Sequence, residues 1–130
     1  VKSDPIPPQL NTLSRAVVVA AIKVHSQLGP GLLESAYKEC LYYELLKEGY
    51  RVIKEKEVPL VYGNVKLEIG CRIDLFVENS LIVEIKAVER LNDVHLAQVL
   101  TYLRLSGCRL GLLLNFNVLR LKDGIKRLIL

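Results

Sequence analysis

Residues 81–88 read LIVEIKAV, and the architecture of the chain turns on them. Leu81, Ile82, Val83, Ile85, Ala87 and Val88 suit a strand buried on both faces, whereas Glu84 and Lys86 interrupt it. Side chains alternate along a strand, so these two ionisable groups share a face, roughly 7 Å apart along the chain. Taking each ion out of water costs several kcal/mol that mutual attraction only partly offsets, which makes a buried carboxylate and ammonium a poor device for stability. Their position asks for another explanation.

The preceding segment, CRIDLFV (residues 71–77), offers a partner. Alternation places Arg72, Asp74 and Phe76 on one face and Ile73, Leu75 and Val77 on the other, and the turn signal Glu78-Asn79-Ser80 would pair the two strands and bring Asp74 to Glu84. Carboxylates held that close repel, and one takes up a proton unless a cation lies between them. Oxygen donors favour Mg²⁺ or Mn²⁺, which also accept a backbone carbonyl, here that of Ile85. Such a centre suits phosphodiester hydrolysis: the cation polarises a phosphoryl oxygen and acidifies a water, while Lys86 orients the water and offsets charge growing on the phosphorane. The competing reading of Asp74, Glu84 and Lys86 is a structural ion-pair cluster.

Around this pair the chain reads as one α/β domain over residues 11–130, preceded by an irregular leader, residues 1–10, in which Pro5, Pro7 and Pro8 discourage regular structure. Asn11 or Thr12 caps a first helix running to about residue 28, with Leu13, Val17, Ala20, Val24 and Leu28 as its apolar face. Gly29-Pro30-Gly31 ends it, and a second helix follows over about residues 32–48, turning Leu33, Tyr37, Cys40, Leu41 and Leu45 inward. Four strands in an antiparallel meander come next: EVPLVY and VKLEI around Gly63-Asn64, then CRIDLFV and LIVEIKAV.

Asn92 caps a third helix over residues 93–106, stopped by Gly107. RLGLLLNF then reads as a strand buried on both faces, reached by a helical crossover, and VLRLKDGIKRLIL as a closing hairpin around Asp123-Gly124. The order is α-α-β-β-β-β-α-β-β, with a mixed sheet flanked by helices.

Composition narrows the function classes. With 130 residues the chain can bury a sizeable core. Three cysteines, Cys40, Cys71 and Cys108, make neither a disulfide framework nor a CxxC clamp, and two histidines leave little for a zinc site. AVVVAAI, residues 16–22, is far short of the roughly 20 residues that span a bilayer, and nothing resembles a secretion signal, so a cytoplasmic protein with no membrane partner is expected. Net charge is +4, with Arg104, Arg109, Arg120, Lys122, Lys126 and Arg127 set against Asp123 in the final quarter. That run reads either as a solvated face or as an attraction for a polyanion.

Asp74, nine intervening residues and Glu84-Ile85-Lys86 resemble the D…(D/E)XK signature of the PD-(D/E)XK superfamily, the restriction-endonuclease-like nucleases. GPGLLESAY, residues 29–37, contains Gly31-x-x-Glu34-x-x-Tyr37 and resembles the GxxExxY branch of that superfamily, as do VHSQLGPGLLES, IVEIKAVERL, HLAQVLTYLRLSG and LLLNF. The similarity spans about residues 15–130. One departure is Ile73, where the superfamily has proline before the aspartate; proline supplies no ligand.

The resemblance implies a restriction-endonuclease-like sheet and a Mg²⁺- or Mn²⁺-dependent nuclease acting on DNA or RNA. It makes Asp74 and Glu84 metal ligands and Lys86 the catalytic lysine. It also adds Glu34, on an early helix that in related nucleases approaches the metal, and Gln98 and Tyr102, which match a Q-x-x-x-Y pattern. The helical spacing agrees, since His95, Gln98 and Tyr102 form a polar stripe opposite Leu96, Val99, Leu100 and Leu103. The alternatives are a non-catalytic nucleic-acid-binding module, for which salt-sensitive binding without turnover is the discriminator, and an assembly domain, with a homodimer left open.

Overall fold

Pro7 and Pro8 start the first helix rather than forbid it. In the computed structural model, which describes residues 4–130, α1 spans Pro8–Leu28 with Pro7 as its N-cap. Proline suits a first turn because its missing N–H would have no intrahelical partner and its φ is already helical. The irregular leader therefore shrinks to residues 4–7, and the remainder of that expectation, residues 1–3, lies outside the described residues. Val17, Ala21 and Val24 are buried along one face, so packing overrides the β-prone Val17-Val18-Val19 run.

After the glycine turn, α2 spans Glu34–Lys47 and buries Tyr37, Leu41 and Leu45. It begins later than the expected residue 32, and Leu33, expected in the core, is its N-cap and 77% exposed.

Five strands follow: β1 Val52–Tyr62, β2 Val65–Val77, β3 Leu81–Lys86, β4 Leu110–Asn115 and β5 Ile125–Ile129, in spatial order β1-β2-β3-β4-β5. β3 and β4 are parallel and the other neighbours antiparallel. The parallel pair needs a crossover, and α3, Asp93–Ser106, supplies it. This is a mixed α/β sheet consistent with a restriction-endonuclease-like core. α1 and α2 cover one core, containing Val17, Leu41, Leu75, Val83, Ile85 and Leu112; α3 covers another, containing Ile73, Phe76, Ile82, Val99 and Leu113.

Two strand expectations are corrected. VKLEI and CRIDLFV are one strand, so the meander has three strands and not four. Gly70, between them, makes no turn: a Cβ there would sit 2.6 Å from Leu60 Cβ, and the glycine permits a close approach where the β1–β2 register shifts. The closing hairpin does not form either. A 3₁₀ turn over Leu121–Gly124 leads into β5, which pairs with β4 from Leu110↔Ile129 to Leu114↔Ile125.

The three cysteines are half-buried free thiols. No described helix is long and apolar enough to cross a membrane.

Candidate active site

β2 and β3 pair at Val77↔Leu81, Phe76↔Ile82 and Leu75↔Val83, and there the pairing stops. On its other edge β3 stays with β4 as far as Lys86↔Asn115. The sheet therefore splits one residue beyond Leu75 and Val83, and backbone amides facing the split lose their ladder acceptors. A buried N–H needs one, and here carboxylates supply it. Asp74 N–H donates to Glu84 Oε2 at 2.7 Å, and Ile85 N–H donates to Asp74 Oδ2 at 2.8 Å. A strand residue's N–H and C=O project to the same edge, so the Ile85 carbonyl also faces the split.

The chain around Asp74 departs from simple alternation. Ile73 packs with Phe76 on the α3 side, although Leu75 lies on the α1–α2 side, which corrects the expected sharing of a face by Ile73 and Leu75. Asp74 thus sits where the strand twists between the two cores.

Burial sets the charge balance. Glu84 is 3% exposed, and its pKa is pushed up to about 8, first by loss of water and then by the charge on Asp74; the Asp74 amide and Lys86 pull the other way. Asp74 is raised too, by burial first, with the Ile85 amide and Lys38 opposing and Glu34 and Glu55 adding to the rise. Carboxylates this close and this buried disfavour one another's charge, so one of them holds a proton while no cation lies between them.

Lys86 ends β3, half-buried, and its carbonyl accepts the Phe116 N–H at 2.9 Å. The next residues are clamped by buried Asn115, whose Oδ1 accepts the Val88 N–H at 3.0 Å while its Nδ2 donates to the Val88 carbonyl at 2.9 Å. Glu34 opens α2, exposed, and reaches Asp74 and Glu84 through its charge and not through a hydrogen bond. Tyr37 does different work. Its hydroxyl donates to the Gly29 carbonyl at 2.6 Å and accepts from Leu32 N–H at 3.1 Å, closing the loop in which Gly29 and Gly31 have φ of 70° and 100°. That closure fixes where α2, and so Glu34, begins.

From α3, Tyr102 faces the same cleft: its hydroxyl is made less acidic by burial, then by the charges on Glu84, Cys71 and Asp74, with neighbouring Gln98 opposing. Gln98 Oε1 is buried without a hydrogen-bond partner. His95 leaves the expected stripe. It closes the helix cap instead, its Nδ1 accepting from Asn92 N–H and its N–H donating to Asn92 Oδ1, each at 3.0 Å. His25, likewise, is a packed residue whose Nε2 lies 2.8 Å from the Val118 carbonyl.

Two residues went unnoticed in the sequence. Lys38 Nζ lies 2.5 Å from Glu55 Oε2 and 3.9 Å from Asp74 Oδ1. Lys38 stands four positions after Glu34 on α2, a spacing that puts both on one helix face, but only the fold brings Asp74 beneath them.

The donor set fits a hard cation of modest demands. Asp74 and Glu84 each use one oxygen on an amide and keep the other, and the orphaned Gln98 acceptor lies on the adjoining helix. Among the described residues no group of three or more His, Cys, Asp or Glu side chains converges to hold a metal. The oxygen donors themselves suit Mg²⁺ or Mn²⁺, which use one or two carboxylates and keep several waters. A cavity of about 420 Å³, lined by Pro7, Leu10, Leu13, Tyr50, Glu78 and Ser80, lies at the turn end of β2 and β3, away from the split.

In a comparison with known families, the family model described as the PD-(D/E)XK nuclease superfamily matches residues 11–128. Neither the curated proteins nor the solved structures give a significant match.

Proposed function

This chain belongs to the PD-(D/E)XK nuclease superfamily, and from that premise we propose that it is a divalent-metal-dependent nuclease hydrolysing phosphodiester bonds of DNA or RNA. The observation that carries the proposal is the pair of carboxylates, Asp74 and Glu84, each accepting a backbone amide across the split in the sheet. Within the superfamily, Gly31, Glu34 and Tyr37 support the GxxExxY branch.

Asp74, Glu84 and the Ile85 carbonyl are the groups that would hold Mg²⁺ or Mn²⁺. When bound, the cation supplies Lewis-acid polarisation of a phosphoryl oxygen and lowers the pKa of a water. The amides of Asp74 and Ile85 fix the carboxylate orientations in advance, so little ordering is left for the reaction. Lys86, held by the Phe116 and Asn115 contacts around it, orients the attacking water and offsets negative charge as it develops. Glu34 adds negative charge at the cleft. Gln98 offers an acceptor, and Tyr102 a hydroxyl, to substrate or solvent entering beside α3.

The basic run in the last quarter gives the non-catalytic reading less support than its composition suggests. Arg109 donates to the carbonyls of Asp4, Pro5 and Leu130, and Arg127 to Asn11 Oδ1 on α1, so two of its cations are engaged within the fold.

The test is to incubate labelled DNA and RNA with Mg²⁺ or Mn²⁺, then repeat with Asp74→Ala and Lys86→Ala. Cleavage by the parent chain, lost in both variants, is expected. Cleavage unchanged in both would remove these residues from the chemistry, and salt-sensitive binding without turnover would favour the non-catalytic module.

A further inference from the structure

Lys38 occupies an unusual place. Its ammonium reaches from α2 to Asp74 Oδ1, the oxygen left open by the Ile85 amide, at 3.9 Å, and to Glu55 Oε2 at 2.5 Å. The Lys38 and Asp74 side chains are 19% and 17% exposed, so water screens that contact only in part, whereas Glu55 stands half exposed. Glu55 sits on a strained backbone. It adopts φ 52° inside β1, a left-handed conformation that costs a non-glycine residue stability. The flanking pairs Lys54↔Leu75 and Lys56↔Ile73 keep the ladder on either side, and Glu55, between them, falls opposite Asp74.

We propose that Lys38 is a tethered cation that competes with the divalent ion for Asp74, and that Glu55 is the acceptor that draws it aside, so the pair sets the metal affinity of the site. The inference rests on the reading of Asp74 and Glu84 as metal ligands. A positive charge about 4 Å from a ligand oxygen repels a second cation strongly at the effective dielectric of a partly buried site. Lys38 on Asp74 and a metal on Asp74 are therefore alternatives, and Glu55 decides how readily Lys38 yields. The strain stored at Glu55 is consistent with a positional duty, since a relaxed strand would align its backbone with the ladder.

The two partners then have opposite effects on metal binding, which a merely structural ion pair does not produce. The test is calorimetric titration of the full chain with MnCl₂, without substrate. Lys38→Met, which keeps the stem and helix propensity, tightens Mn²⁺ binding by about tenfold, and Lys38→Arg stays within about twofold of the parent. Glu55→Gln weakens it by about fivefold, and in the Lys38→Met background that loss shrinks to about twofold or less, because Glu55 works through Lys38. Unchanged or weaker binding in Lys38→Met, or a Glu55→Gln loss of equal size in both backgrounds, overturns this inference and leaves the nuclease reading standing. Absence of Mn²⁺ binding in the parent and every variant overturns both.

Discussion

The Tyr37 ring stacks on the Phe116 ring, centroids 4.6 Å apart and planes 12° from parallel. Phe116 follows β4 and donates its N–H to the Lys86 carbonyl, so the tyrosine of the Gly31-x-x-Glu34-x-x-Tyr37 pattern leans on the residue that bonds the strand end carrying Lys86. One side chain thereby joins the start of α2, where Glu34 and Lys38 stand, to the end of β3.

Tyr37→Phe separates its two contributions. The stack remains, whereas the Gly29 carbonyl and Leu32 N–H lose their hydroxyl partner, and stability should fall by about 1–2 kcal/mol in urea unfolding. Tyr37→Ala also removes the buried ring and should cost about 3–5 kcal/mol. Equal losses in both variants would mean that the hydroxyl clamp contributes the whole effect.

Asn115→Ala removes both hydrogen bonds to Val88 from a side chain in a residue only 2% exposed. Leaving the Val88 amide and carbonyl unpaired should destabilise the fold by about 2–3 kcal/mol. Hydrogen exchange should accelerate most at Val88. Uniform acceleration over the whole sheet, with no excess there, would show that the clamp has no local role.

Glu84 predicts a pH dependence for the protein kept free of divalent ions. Its pKa lies at about 8 in the folded chain against 4.5 when solvated, so folding takes up a proton between those values. Stability therefore falls as pH rises through that window: the penalty is absent below it and full above it, on the order of a few kcal/mol. Asp74 is shifted the same way and adds to the slope. Urea unfolding in EDTA should give a lower midpoint at about pH 8.5 than at about pH 5.5, Glu84→Gln should flatten the difference, and Mg²⁺ should restore stability at the higher pH. A midpoint that climbs over this interval in EDTA contradicts the assignment.

Legibility in the sequence followed the range of the interactions involved. α3 was readable to the residue because Asn92 and Gly107 are local signals, and Glu84 and Lys86 stood out because charge within an apolar strand needs no partner to be noticed. The division of VKLEI from CRIDLFV failed because the register shift that Gly70 accommodates against Leu60 depends on the neighbouring strand. Gly124 misled: in Asp123-Gly124 it reads as a hairpin turn, yet it ends a 3₁₀ turn against Asn115, whose carbonyl oxygen a Cβ would strike. Lys38 and Glu55 were invisible because only the packing of α2 over β1 and β2 joins them. Gly70→Ala should accordingly destabilise by about 1–3 kcal/mol, whereas a glycine in a free turn would tolerate alanine more cheaply; denaturant unfolding decides between the two.

The proposed nuclease activity requires a divalent ion to join Asp74 and Glu84. Diffraction from a crystal soaked in Mn²⁺, recorded to bring out anomalous scattering, tests it most directly. One anomalous peak is expected within coordination distance of an oxygen of Asp74, an oxygen of Glu84 and the Ile85 carbonyl. A fully soaked crystal with no peak there, the carboxylates still bound only to the amides of Ile85 and Asp74, would contradict it.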